Sequence, residues 1–422
     1  MTKRPPEGEM WFPCPFFARK LRAMLQVFVP LFIAVAAAMV GLGVISPILP
    51  LYVKEFGAGG AQLGLVYAAF SISRSLLGPL FGRLSDRVGR RRMIAVGLAT
   101  YTAVSILYVI AESLWQLAAF RFLHGVASVL VTPIAQAYVG DVTPPGQEGR
   151  TMNMFYSSMF LGMALGPLLG GSLAERWGLV APFFAMGCLT FVALLAVLAL
   201  VPEDRGREHI HPDQPRPSLR RALRSPVVWG IVIYNATRGF WRQGFNAFWP
   251  LLGAAMGHGE TTLGSVLTAY LFAQAILQIP FGFLADRFPR LPQIVLGGTL
   301  APAVLFAVPA AAGSLGWVLA GGVFMGAASA LGRASVVAMR TACGRVHGMG
   351  TLAGINSSAF ALGQSLGPMA AGLAYDLGGL TAPMYLGGAV GLAGSLISVL
   401  VIGQGARELE AAAAAGKPPA GC

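Results

Sequence analysis

Charge is scarce in this sequence, and negative charge is scarcest. Only 11% of its 422 residues are Asp, Glu, Lys or Arg, and 17 acids stand against 30 bases. Soluble domains carry roughly a quarter charged residues, so a water-exposed fold this poor in charge would present too much apolar surface. Cysteine is sparse as well. Cys14, Cys188, Cys343 and Cys422 are scattered, form no CxxC pair and suggest neither a disulfide nor a metal site. No Gly-rich loop ends in Gly-Lys-Ser/Thr, so ATP as an energy source has no support and no cofactor is expected. No Asp or Glu falls in the middle of an apolar run. That removes the aspartate dyad or His/Glu metal set that a membrane-embedded enzyme would need. A filter-like repeat or ring of charge, the mark of a channel, is missing too.

What is present is apolar. Hydrophobic residues make up 55% of the chain and the mean hydropathy is +0.67. A bilayer span takes about 20 mostly apolar residues. Twelve such runs occur, at 27–51, 61–82, 93–111, 115–139, 151–173, 181–201, 227–252, 261–284, 293–312, 315–338, 349–373 and 382–403. The 55 Gly and 28 Pro would ruin a soluble helical protein. Membrane helices tolerate them, because close packing needs small residues and neighbours satisfy freed backbone groups. The reading is an all-α membrane protein divided into an N-terminal segment (1–26), a six-span unit (27–201), a linker (202–226), a second six-span unit (227–403) and a tail (404–422). The first apolar run is too long for a signal core, so no cleavable secretory signal is expected. Trp11–Phe17 lies on the membrane surface or belongs to a plain tail. His209 and His211, in the Pro-rich linker, read as solvent-facing rather than as a metal pair.

The bases set the orientation. Of the 30 Lys and Arg, only Lys54 and Arg176 fall in loops on one side, and Arg74, Arg121, Arg238, Arg242 and Arg333 fall within spans. All the others lie in the N-terminus, the linker, the tail and the loops on the same side as these. The positive-inside rule then puts both termini in the cytoplasm, and a plasma (bacterial inner) membrane is the expected location. The net charge of +13 is thus mostly a topology signal, spread over many loops, and nucleic acid is not an expected partner.

The chain also repeats itself. Gly82-Arg-Leu-Ser-Asp86-Arg87 returns as Gly282-Phe-Leu-Ala-Asp286-Arg287, with Pro50 matched by Pro250 and Gly57 by Gly257, an offset of 200 residues. Gly162-x-x-x-Gly166-Pro167 returns as Gly363-x-x-x-Gly367-Pro368, an offset of 201. A duplicated membrane unit suggests a site between the halves that can open to either side.

Three strings stand out. The connection after the second span reads Gly82-Arg-Leu-Ser-Asp86-Arg87-Val-Gly89-Arg90-Arg91-Arg92. Glycine suits a tight turn, Asp86 suits the amino end of a neighbouring helix, and Arg90 can bridge to another carboxylate. In the fifth span, Gly162, Gly166, Pro167, Gly170 and Gly171 place small residues on one face. In the fourth span, Arg121-Phe-Leu-His124-Gly125 sets a cation beside a titratable ring.

Together with twelve spans and a long central linker, these strings resemble the major facilitator superfamily over essentially the whole chain. The resemblance implies two pseudo-symmetric six-helix bundles that alternate access to a shared cavity. It also implies a conformational latch made by Gly82, Asp86, Arg87, Gly89 and Arg90, with Asp141 as the acid at the inner end of the fourth span. Asp286 and Arg287 belong to a second copy expected to latch more weakly, because Pro289 replaces Gly89. The fifth-span string resembles the motif of drug–proton exporters, and Arg121 matches an arginine associated with proton transfer. Arg121 and His124 are therefore the proton-coupling candidates, with structural roles as the alternative.

The in-span arginines point to the substrate. Arg238 and Arg242 are four apart and share a helical face, Arg74 lies at a similar depth, and Arg333 sits near an inner end where it can snorkel. Guanidinium forks suit carboxylate or phosphate. Arg74, Arg238 and Arg242, with Tyr67, Asn246, Gln274 and Asn356 as polar neighbours, form the candidate cavity; helix–helix hydrogen bonding is the alternative use of each. The expected activity is secondary transport of a small amphipathic or anionic solute by a monomer, by proton-coupled efflux. An anion exchanger or uptake permease without proton coupling, or a transport-inactive sensor of the same fold, remain open as alternatives.

Overall fold

The computed structural model describes residues 15–143, 148–202, 222–347 and 349–414. Thirteen helices and no strand occur among the described residues: α1 (Pro15–Val44), α2 (Leu49–Glu55), α3 (Gly60–Val88), α4 (Arg90–Val109), α5 (Leu114–Val142), α6 (Glu148–Trp177), α7 (Ala181–Leu200), α8 (Pro226–Ala255), α9 (Glu260–Arg287), α10 (Arg290–Ala311), α11 (Leu315–His347), α12 (Met349–Gly378) and α13 (Ala382–Ala414).

The first apolar run is broken. Its segments Phe28–Val44 and Leu49–Glu55 meet at 46°. Pro47 lacks an N–H and disfavours helical geometry at Ser46, and the chain turns by letting the N–H groups of Ile48 and Leu49 both donate to the Ile45 carbonyl. The other eleven runs each become one helix. By length and composition, eight helices among the described residues can cross a membrane, or nine with the bent pair. The remaining three, α3, α8 and α12, have 29, 30 and 30 residues but carry polar groups on buried or half-buried faces. Arg238 and Arg242 on α8 are the extreme case, at 6% and 9% exposure.

The internal repeat is visible in the backbone. Gly57 and Gly257 both adopt the left-handed conformation, at φ 70° and 84°, as do Gly178 and Gly379, at 84° and 80°. Only glycine enters that region without a steric cost. Glycine-rich faces then build each bundle. Gly162, Gly166 and Gly170 of α6 lie against α1 at Ala36, Gly43 and Val44, and their counterparts Gly363 and Gly367 of α12 lie against α8 at Ala236 and Phe240. At each of these a Cβ would overlap backbone atoms, so the helices approach as closely as small residues permit.

Two equivalent seams join the bundle of α1–α7 to that of α8–α13: α3 packs on α12, and α6 packs on α9. Both seams are tight only at the membrane face away from the linker. There Gly64 meets Pro368, and Gly264 meets Pro167. Toward the linker face, Gly78, Gly82 and Gly282 have open space where a side chain would stand, while Leu80 and Phe283 are 59% and 74% exposed. The cores tell the same story. One apolar cluster includes Tyr52, Leu63, Tyr67 and Phe183 together with Trp241, Phe248, Leu263 and Tyr270, and so spans both bundles. Two others stay within single bundles, one around Leu31, Ile94 and Val139 and one around Val228, Ile294 and Ile402. The halves are therefore closed on the far face and parted on the linker face.

Several expectations need correction. The connection at 82–92 is helical through Val88 and turns at the single residue Gly89, at φ 101°. The last helix continues to Ala414, and its apolar span, Ala382–Gly405, ends close to the expected 403. Cys343 is disulfide-bonded, against the reading that no cysteine pairs, whereas Cys188 is free and exposed. Most of the linker, including His209 and His211, lies outside the described residues, as do Trp11–Cys14.

Candidate functional site

Each bundle carries its own group of buried or half-buried cations. In the first half, α5 carries Arg121 and His124, which are 3% and 0% exposed. Arg121 Nη1 donates to His124 Nδ1 at 3.3 Å, and the Tyr108 hydroxyl lies 3.2 Å from the same nitrogen. An arginine can only donate, so Nδ1 accepts and the ring proton of neutral His124 sits on Nε2. Nε2 is buried without a hydrogen-bond partner, and the Phe70 and Tyr101 rings stand edge-on to the imidazole, 5.3 and 4.9 Å between ring centres. The Arg121 guanidinium also lies over Phe70 and Tyr67, 4.8 and 5.4 Å from their ring centres. It does not snorkel; it is stacked in a buried aromatic cage. Half-buried Arg74 adds a second cation over Phe70, at 5.4 Å. The Tyr67 hydroxyl donates to the Ser46 carbonyl at 3.3 Å, tying α3 to the break in the first span.

In the second half, Arg238 Nε approaches the Ser329 hydroxyl at 3.5 Å, and Gln274 Nε2 donates to the same oxygen at 3.1 Å. Arg238 Nη2 and Arg242 Nε are buried with no partner. Trp241, Phe245 and Tyr270 wall this region, with Tyr270 packed edge-on against both. Asn246 is half-buried on the same helix, and half-buried Asn356 on α12 leaves its Oδ1 without a partner. Arg333 departs from the expected snorkelling. Its guanidinium crosses the interface to lie 5.2 Å from the ring centre of Phe160 on α6. Among the described residues, none of Arg74, Arg121, Arg238, Arg242 and Arg333 is paired with a carboxylate.

At the linker face, Arg90 opens α4 and its Nε lies 2.5 Å from Oδ2 of Asp141 near the end of α5. Arg87 is exposed at the end of α3, and the Asp86 side chain lies outside the described residues. The second copy closes on itself. Arg290 Nη2 reaches Asp286 at 4.0 Å and its Nε donates to the Ala285 carbonyl at 3.2 Å, while Arg287 stays exposed. The small residues of the fifth span serve two purposes: Gly162, Gly166 and Gly170 seat α6 on α1, whereas Pro167 and Gly171 meet α9 of the other bundle.

Sequence reasoning missed Ser329, which joins Arg238 to Gln274, and Phe160, which receives Arg333. Nothing in the local sequence marks either one. It also gave no role to Glu175 and Asp376, although they stand 201 residues apart, the same offset as the glycine string.

Two homologous helical bundles, closed against each other on one membrane face and parted on the other, give the architecture of a membrane transporter. Comparison with known proteins agrees. The Major Facilitator Superfamily profile matches residues 31–241 and again 232–422. The chain belongs to that superfamily, and it is a transporter rather than an enzyme. It is 25% identical over 377 residues, 89% of this chain and 96% of the relative, to the quinolone resistance protein NorA of Staphylococcus aureus. It is also similar to an uncharacterized MFS-type transporter, MJ1560, of Methanocaldococcus jannaschii, at 26% identity over 64% of this chain and 71% of that one. Its fold matches a bacterial homolog of the human lysosomal transporter Spinster in an inward-facing, occupied conformation, with TM-score 0.71 and 17% identity over 90% and 96% of the two chains. It also matches the human organic anion transporter MFSD10, with TM-score 0.62 and 19% identity over 89% and 99%.

Proposed function

We propose that this transporter exports a small amphipathic or anionic solute, which enters from the linker face and is held between the halves by Arg74, Arg238 and Arg242. The observation that carries the reading is the unbalanced positive charge: five in-span arginines, none ion-paired among the described residues, with Arg238 Nη2 and Arg242 Nε left unsatisfied. A buried guanidinium without a partner costs several kcal/mol, and a ligand carboxylate or phosphate offsets that cost. Tyr67, Gln274, Asn246 and Asn356 add neutral polar groups, and the aromatic wall suits an amphipathic body. By the positive-inside rule the linker face and both termini are cytoplasmic, and a plasma (bacterial inner) membrane is the proposed location. Export is supported by the fifth-span string and by the similarity to a protein named for quinolone resistance.

Arg121 and His124 are the candidates for proton coupling. Exchange of one anion for another is the second reading, favoured because no carboxylate accompanies the arginines among the described residues. The test is solute flux in proteoliposomes under imposed pH or anion gradients, across anionic, zwitterionic and cationic compounds. Anionic or zwitterionic flux lost in both Arg238→Ala and Arg242→Ala supports the cavity. Intact transport of every anionic solute in both variants refutes it. Flux driven by a pH gradient selects proton coupling, and flux driven only by a trans anion selects exchange.

A further inference from the structure

The far face is held shut by more than apolar packing. Asp376, near the end of α12, accepts from the Gly60 and Ala61 N–H groups at 2.6 and 2.8 Å through its two carboxylate oxygens. Those N–H groups open α3 of the opposite bundle. Glu175, near the end of α6, accepts from the Thr261 N–H at 2.9 Å, and Thr261 stands in the first turn of α9, again of the opposite bundle. The first N–H groups of a helix have no partner within it and carry the positive end of its dipole. Each carboxylate therefore satisfies, from the other half of the molecule, groups that would otherwise face water.

The two contacts are copies of each other. Glu175 and Asp376 keep the offset of the duplicated glycine string, and the helices they cap, α3 and α9, begin after Gly59 and Gly259 in the same extended geometry, with φ −71° and −69°. Both sit at the outermost point of the tight seams. Lys54 adds a third tie on one side, lying 4.5 Å from the ring centre of Tyr375, beside Asp376. In the second seam the Leu168 N–H donates to the Thr268 hydroxyl at 3.1 Å, about two turns deeper.

We infer that Glu175 and Asp376 form a paired lock on the far face, in which each bundle's carboxylate caps a helix of the other, and that their release accompanies opening to that face. The lock is separate from the Arg90–Asp141 bridge, which lies within one bundle on the linker face. It is independent of which solute is carried, so failure of the cavity assignment leaves it standing.

Distance measurement in the intact protein tests this. Spin labels at Trp115→Cys and Trp317→Cys, exposed far-face positions on α5 and α11, in a background with the native cysteines replaced, report separation of the halves in nanodiscs. Both carboxylates are solvent-exposed, and at exposed helix amino ends a carboxylate shifts an equilibrium by roughly two- to fivefold. Glu175→Gln with Asp376→Asn should then raise the ratio of far-open to far-closed molecules about tenfold, and each single variant should raise it about threefold. Glu175→Asp and Asp376→Glu, which keep the charge, should stay closer to the parent. An unchanged distance distribution in the folded single variants overturns the lock, as does a shift in the charge-keeping variants as large as in the neutral ones.

Discussion

Arg242 shows how a buried charge separates a binding role from a packing role. It is 9% exposed and its Nε has no partner, although Trp241, Phe245 and Tyr270 stand nearby. If the side chain served chiefly to hold helices together, truncation would cost stability, since breaking a satisfied buried pair is expensive. An unpaired cation retained for a ligand behaves the other way: an apolar residue of similar length relieves strain in the empty protein and weakens binding. Arg242→Met is therefore expected to leave the melting temperature unchanged or raised and to weaken affinity for an anionic solute about tenfold or more, since charged hydrogen bonds contribute ~1.5–3 kcal/mol. Thermal unfolding with and without the solute reads both quantities. A lower melting temperature with unchanged affinity would make Arg242 structural. Arg121 differs because its Nη1 is engaged by His124. Arg121→Met leaves Nδ1 of His124 with only the Tyr108 hydroxyl, so it is expected to slow pH-driven flux more than solute binding. Counterflow, which needs no proton gradient, should survive better than pH-driven transport.

At the scale of helices, the sharpest local demand is the turn at Gly89. A φ of 101° between α3 and α4 suits glycine alone, and it sets Arg90 at the start of α4 where it reaches Asp141. Gly89→Ala is expected to cost ~1–2 kcal/mol of local strain and to move Arg90 off its partner. Arg90→Ala and Asp141→Asn should each alter turnover, and the double variant should do little more than either alone, because both remove one bridge. Additive losses in that cycle would show that the bridge is not the shared element. This string was legible in the sequence because its residues are contiguous and repeated, and so were the helix count and the duplication. The placement of Arg333 was not. A cation near the end of an apolar run reads as snorkelling, and only the angle of α11 to α6 shows that Phe160 is within reach. Ser329 and the cage around His124 were hidden for the same reason, since they are assembled from three or four helices distant in sequence. The break at Pro47 was available from the residue itself, yet an apolar run through it reads as one span.

For the molecule as a whole, the two seams must act together. Gly64 against Pro368 and Gly264 against Pro167 are copies related by the duplication, and each brings helix backbones into contact that leaves no room for a side chain. If the halves move as rigid bodies, opening the far face parts both seams at once, and a wedge in either seam holds the whole face ajar. Gly64→Val and Gly264→Val should therefore each shift molecules toward the far-open form, with the linker face closing in compensation. Leu80→Cys, exposed near the linker face in the present conformation, should react more slowly with an impermeant maleimide applied from that side. Because the motion is shared, the double variant should slow labelling little beyond either single one, a strongly sub-additive pattern. Independent seams would instead give additive effects, with each wedge acting on its own half. That outcome would replace rigid rocking by local bending of α3 and α9, whose open glycines Gly78, Gly82 and Gly282 on the linker side leave room for such a motion.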